Sequence, residues 1–221
     1  MTKQNLPLKS FFENQFISET SSPENYLLIA LHGRGDTCLG MRRVRRFLEL
    51  PTLDWLLINA PDPWKNPNGF EGFSWYERPP IHEFSLKRSL NLLEDLLAEL
   101  QDMGWPRKKI ILMGFSQGAI LALELVFSSE HPFAAAICIS GTIIDPDSMD
   151  QRIHSGAFKT PILVSHGTKD DVLDYETTSE RIMSLQTILP NVAFHVFEKG
   201  HEMQKNEFQL YRAFLTQRVL Q

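Results

Sequence analysis

Cysteine is nearly absent from the chain: Cys38 and Cys138 are the only two in 221 residues. Neither belongs to a metal-ligand cluster, and so few thiols fit a reducing compartment. Cys138 lies in the apolar run 134–139 and reads as a buried thiol. Excess positive charge is also missing. The formal net charge of -5 argues against a general nucleic-acid binder. No apolar stretch approaches the ~18 residues of a membrane-spanning helix, and the N-terminus lacks the apolar core of a secretory signal. The expectation is a cytoplasmic protein with no integral membrane segment. There is no internal repeat, low-complexity tract or interdomain linker, so a single domain over residues 1–221 is expected. With 43% hydrophobic and 22% charged residues, a chain of this length can bury a substantial core.

What the sequence does contain is an alternation of two patterns. Six short apolar runs, at 26–31, 55–59, 110–113, 134–139, 162–165 and 192–197, are separated by segments of helical spacing. Continuous apolar runs suit strands of a parallel sheet covered by helices on both faces. His195 interrupts the last run, which places it nearer an edge. Residues 8–18 fit an additional strand or hairpin. Leu86, Leu90, Leu93, Leu97 and Leu100 trace one helical stripe, with Ser85 as its N-cap and Gly104 followed by Pro106 as its stop. Further helices are expected over 38–48, 117–128, 177–187 and 207–219. Strands alternating with helices predict an α/β fold with a mostly parallel central sheet. The segments 62–82, rich in aromatics, and 141–160, polar and aperiodic, are long connections of the kind that often carry function.

The strongest motif is Gly114-Phe115-Ser116-Gln117-Gly118, set between an apolar run and a helix. Strand, Gly-x-Ser-x-Gly, helix is the pattern of a nucleophile elbow, a bend sharp enough to expose the serine at its tip. Small residues two places before and after Ser116 permit strained backbone and close approach of strand and helix. Ser116 is the candidate nucleophile. A serine hydroxyl needs a general base, and the base needs an orienting acid. In such sheets the acid follows a later strand and the histidine follows the last. The loop after residues 162–165 supplies Asp170, Asp171 and Asp174, and position alone does not separate Asp170 from Asp171. Of seven histidines, only His201 follows the last run and precedes the last helix. His32 and His166 each precede a glycine at a strand end and read as turn-shaping residues. Leu31-His32-Gly33-Arg34-Gly35-Asp36 follows the first strong strand. Backbone N–H groups of Arg34 and Gln117 are the candidate oxyanion hole, worth ~3 kcal/mol of barrier each.

Four segments together resemble one family, the phospholipase/carboxylesterase family of α/β-hydrolases, which includes acyl-protein thioesterases and small bacterial carboxylesterases. They are residues 31–36, Gly114-Phe115-Ser116-Gln117-Gly118, His166-Gly167-Thr168-Lys169-Asp170-Asp171-Val172 and Gly200-His201-Glu202-Met203. The resemblance implies an α/β-hydrolase fold, a Ser116, Asp170 and His201 triad, and no cofactor or metal. It is by resemblance that Asp170 is preferred over Asp171. Arg34 stands where many members carry an apolar residue. Residues 72–76 are similar to members with a short aromatic segment near the site. Phe73 and Trp75 are candidate substrate-binding residues that line an acyl pocket, and an equal reading is that they pin a long loop.

The expected activity is hydrolysis of a small-molecule ester or thioester through an acyl-serine intermediate. Two other readings stand beside it. One is a hydrolase-fold binding protein that has lost catalysis. The other is a lysophospholipase-type activity on an anionic lipid, suggested by the basic cluster Arg42, Arg43, Arg45 and Arg46.

Overall fold

The computed structural model describes residues 2–4, 6–9, 12–18, 25–66, 68–78 and 80–220. The chain opens with β1 (Thr2–Gln4), β2 (Asn14–Ser18), β3 (Leu27–Leu31), α1 (Arg42–Leu48) and β4 (Asp54–Ile58). A hairpin of β5 (Asp62–Lys65) and β6 (Glu71–Ser74) follows, then α2 (His82–Asp102), β7 (Ile110–Phe115) and α3 (Gln117–Phe127). The last part runs β8 (Ala135–Ile139), α4 (Met149–Arg152), β9 (Ile162–Gly167), α5 (Tyr175–Ile188), β10 (Val192–Phe197) and α6 (Glu207–Arg218).

Eight strands form one sheet in the order β1-β2-β4-β3-β7-β8-β9-β10. The six from β4 to β10 are parallel, while β2 runs antiparallel to β4 and β1 antiparallel to β2. Each residue of β3, β4 and β8 is buried, which is why these strands read as unbroken apolar runs. Alternate side chains feed two cores. Leu27, Ile29 and Leu31 join α2, α3 and α5 on one face, and Leu28 and Ala30 join α1 and α6 on the other. At β10, an edge strand, Val196 is exposed and His195 turns to solvent.

Three details differ from the sequence expectation. Helix α2 begins at His82, one turn before Ser85. Ser85 sits inside the first turn, where its hydroxyl donates to the His82 carbonyl and accepts from the Glu77 N–H, so it braces the helix entry instead of capping it. Of the span 8–18, only residues 14–18 form a strand, and residues 10 and 11 lie outside the described residues. The aromatic connection 62–82 is partly ordered as the β5–β6 hairpin.

The chain order reverses at β3. It steps to β4 on one side, then returns across β3 to β7, β8, β9 and β10. In open parallel sheets the crevice at such a switch point, beyond the strands' C-terminal ends, is where ligands bind.

Candidate active site

Ser116 follows β7 directly and precedes α3, with φ 53° and ψ -115°. Glu49, Ser116 and Ser140 are the non-glycine residues with positive φ among the described residues. That conformation is costly for an L side chain and persists only where its surroundings fix it. The fixing is visible. The Ser116 N–H donates to the Ile139 carbonyl of β8 at 2.9 Å. A Cβ on Gly114 would lie 2.2 Å from the Gly118 carbonyl oxygen, and one on Gly118 would lie 2.2 Å from that of Leu31. Only glycine lets strand, bend and helix approach this closely.

His201 arrives from the loop after β10 and Asp170 from the loop after β9. The Ser116 hydroxyl lies 2.9 Å from His201 Nε2, and His201 Nδ1 lies 2.7 Å from Asp170 Oδ2. Asp170 is buried, and its Oδ1 accepts the N–H groups of Val172 at 3.0 Å and Leu173 at 2.8 Å. Burial alone would raise the carboxyl pKa. The Leu173 N–H, the His201 hydrogen bond and charge, and the Val172 N–H outweigh it and hold Asp170 below the ordinary carboxylate value. An ionised carboxylate only accepts, so the shared proton sits on Nδ1 and leaves Nε2 free to accept from Ser116. Asp171, the alternative acid, is exposed and lines the cavity mouth instead.

The loop carrying His201 is held from behind. Lys199 and Glu207 are fully buried, with Nζ 2.8 Å from Oε2. Lys199 also donates to the Glu202 carbonyl at 2.7 Å and to Ser140 Oγ at 3.2 Å. Glu207 accepts from the Gln204 N–H at 2.6 Å and the Tyr211 hydroxyl at 2.5 Å. The sequence reading passed over this network because a lysine two residues before His201 looks like any surface lysine.

Arg34, Ser116 and Gln117 line one cavity of about 750 Å³. Gln117 is the first residue of α3, where N–H groups have no intrahelical partner. Its side chain has a second task. Oε1 accepts from the Trp75 N–H at 3.1 Å and Ser74 Oγ at 3.3 Å, while Nε2 donates to the Tyr76 carbonyl at 2.8 Å. The Arg34 loop is tied to the same segment: the Gly35 N–H donates to the Phe73 carbonyl at 2.7 Å, and the Phe73 N–H donates to that of Asp36 at 3.0 Å.

Of the two readings of Phe73 and Trp75, these ties match the one that pins the loop, and neither residue lines the cavity among the described residues. Trp75 is fully buried, packs at a tilt against the His32 ring with centroids 5.4 Å apart, and donates from its indole nitrogen to the His32 carbonyl at 2.9 Å. Phe73 packs against the core. Alternation along this segment turns both rings inward, and they brace the Arg34 loop. His32 is likewise structural: Nδ1 lies 2.7 Å from the Gly33 carbonyl and Nε2 accepts the Ala60 N–H at 3.0 Å. The cavity walls are Tyr76, Arg78 and His82 from one long connection, Thr142 and Ile144 from the other, and Ile120, Val172, Leu173 and Arg181. The four α1 arginines are not among them.

A mixed sheet with its switch at β3, and a strained serine between β7 and α3, define the α/β-hydrolase fold. The chain belongs to the phospholipase/carboxylesterase family, whose model matches residues 12–219. Acyl-protein thioesterase 1 homolog 2 of Dictyostelium discoideum is 32% identical over 168 residues, covering 71% of this chain and 75% of the relative. A probable carboxylesterase of Oryza sativa subsp. japonica is 30% identical over 194 residues, covering 80% of this chain and 71% of the relative. Among solved structures, esterase PE8 superposes with a TM-score of 0.82 at 25% identity, over 94% of this chain and 99% of that one.

Proposed function

We propose that the protein is a single-domain serine hydrolase that cleaves carboxylic esters or thioesters through an acyl-serine intermediate. The observation that carries this reading is the continuous hydrogen-bonded relay from Asp170 through His201 to Ser116 at the floor of a cavity. Ser116 Oγ attacks the carbonyl carbon while His201 Nε2 takes its proton. Asp170 keeps the imidazole in the tautomer that can accept and stabilises the imidazolium as it forms. The carbonyl oxygen becomes an oxyanion facing the backbone N–H groups of Gln117 and Arg34. His201 then protonates the leaving alcohol or thiol, and a water activated by the same imidazole releases the acid and restores the serine. Relatives named as acyl-protein thioesterases and carboxylesterases agree with either leaving group.

Turnover of a p-nitrophenyl ester by the wild-type and Ser116→Ala proteins tests the reading. The variant is expected to lose activity by roughly a million-fold while keeping its fold. Near-wild-type turnover in that variant would remove Ser116 from the mechanism. A fluorophosphonate serine reagent that fails to label the folded wild-type protein would favour a binding role.

A further inference from the structure

The cavity is cationic on a protein that is not. The chain carries a formal net charge of -5, yet Arg34, Arg78 and Arg181 line the cavity against a single carboxylate, Asp171. Several partly buried arginines elsewhere are paired, Arg88 with Asp62, Arg107 with Glu94, Arg152 with Glu124 and Arg212 with Glu49, whereas in the cavity Arg34 and Arg181 are partly buried and Arg78 is exposed. Among the described residues, no carboxylate forms an ion pair with Arg34, Arg78 or Arg181. Glu77 is the acidic group whose charge acts on Arg34, and Arg78 opposes it as a like charge.

The state of Arg34 is the most telling. Its guanidinium lies over the Trp64 ring, 5.8 Å from the centroid, so its position is set by packing. Nε and Nη1 are shielded from solvent without a hydrogen-bond partner, as is one nitrogen each of Arg88, Arg107 and Arg152, but unlike those three Arg34 has no carboxylate in an ion pair with it among the described residues. Thr142 Oγ1 and His82 Nδ1, on the same cavity wall, are also buried without partners. Arg34 lines the cavity with no carboxylate paired to it, and a ligand oxyanion supplies that counter-charge: guanidinium N–H donors match the oxygens of a carboxylate or phosphate in a two-pronged geometry.

Resting on the hydrolase reading, we propose that the substrate is an ester or thioester bearing a carboxylate or phosphate group, held by the Arg34 and Arg78 side chains while Ser116 attacks. Arg34 then serves twice, its N–H facing the reacting oxygen and its side chain selecting the substrate. Arg181, anchored by donation to the Ile143 carbonyl at 2.7 Å, adds positive potential from the α5 side.

The test compares anionic aryl esters with neutral counterparts of matched length. p-Nitrophenyl hydrogen adipate against its methyl ester places the carboxylate on the acyl side. 4-Acetoxybenzoate against its methyl ester, and 4-acetoxyphenyl phosphate against 4-acetoxyphenyl methyl ether, place carboxylate and phosphate on the alcohol side. In at least one arm the anionic ester is expected to exceed its neutral partner about tenfold in kcat/KM. That preference is expected to shrink at least fivefold in Arg34→Met and in Arg78→Gln, and to weaken with added salt. Turnover that favours the neutral ester in each arm, or a preference unchanged in both arginine variants, overturns the proposal and leaves the hydrolase reading intact. Should no ester be turned over, calorimetric binding of the adipate pair to the Ser116→Ala protein decides. Tighter binding of the anion supports the proposal, and equal or weaker binding overturns it.

Discussion

Replacing Lys199 with methionine keeps the volume of the side chain and removes its charge. Lys199 and Glu207 side chains are both completely shielded from solvent. After Lys199→Met, Glu207 retains the Gln204 N–H and the Tyr211 hydroxyl but has no counter-charge. Removing one partner of a buried ion pair typically costs about 3–5 kcal/mol, because the other charge stays buried without compensation. For a chain of this size, about 2–4 °C of melting temperature accompanies each kcal/mol, so the midpoint should fall by roughly 6–20 °C. Circular dichroism during heating and urea denaturation measure it. The double variant Lys199→Met/Glu207→Gln removes both charges and is expected to recover at least about half of the loss. The surviving activity has a signature too. Lys199 ties both flanks of the His201 loop, through its own backbone and through the Glu202 carbonyl, so kcat should fall more than KM rises. A single variant within about 1 kcal/mol of wild type, or a double variant no more stable than the single, would refute the reasoning.

Asp170→Asn should preserve the fold but stabilise the wrong imidazole tautomer, lowering kcat about ten-thousand-fold; a loss below tenfold in a p-nitrophenyl ester assay would contradict the role given to Asp170. Acid should weaken the fold from mildly acidic pH downward. Burial holds both His32 and His166 below the ordinary 6.5, so below that pH the unfolded chain binds protons that the folded chain refuses. This contribution is fully present above pH 6.5 and fades as pH falls through it. The depressed Asp170 value adds a second loss only below its ordinary 3.8. The urea midpoint should therefore drop between pH 7.5 and pH 5.5, less so in His166→Gln, and equal wild-type midpoints would count against it. Burial pushes the Cys38 thiol up to about 11 and raises Cys138 further still, so neither should react with a disulfide reagent until the protein is unfolded. Rapid titration of either thiol in the native protein would show that its enclosure is looser than the structure has it.

How much of this was legible in the sequence depended on what each element buries. Strands such as β3, with both faces covered, announce themselves as unbroken apolar runs, Leu27-Leu28-Ile29-Ala30-Leu31 being the clearest. Strand β5 buries neither face fully, and so the hairpin was invisible inside an aromatic connection. Ser116 stood out as a candidate because its bend needs glycines at fixed offsets, and His201 because chain order in a parallel sheet dictates where a partner emerges; chain order reached only the loop of Asp170 and Asp171, and the family resemblance chose between them. The cavity walls left no such trace. Arg78 and Thr142 belong to segments without periodicity, and which way such side chains point is settled by tertiary contacts. The aromatic rings stayed open between two readings for the same reason: composition marked 62–82 as important but could not say that Trp75 faces inward.

The lacing between the Arg34 loop and its neighbouring segment bears on how this protein can be redesigned. A Cβ on Gly72 would sit 2.1 Å from the Gly35 carbonyl oxygen, and Gly35 itself bonds to Phe73. A graft meant to reshape the pocket at Tyr76 and Arg78 must therefore carry over the glycine and the backbone rungs beside it. Swapping the wall without its hinge pins would disturb the backbone around Ser116 before it changed the shape of the cavity.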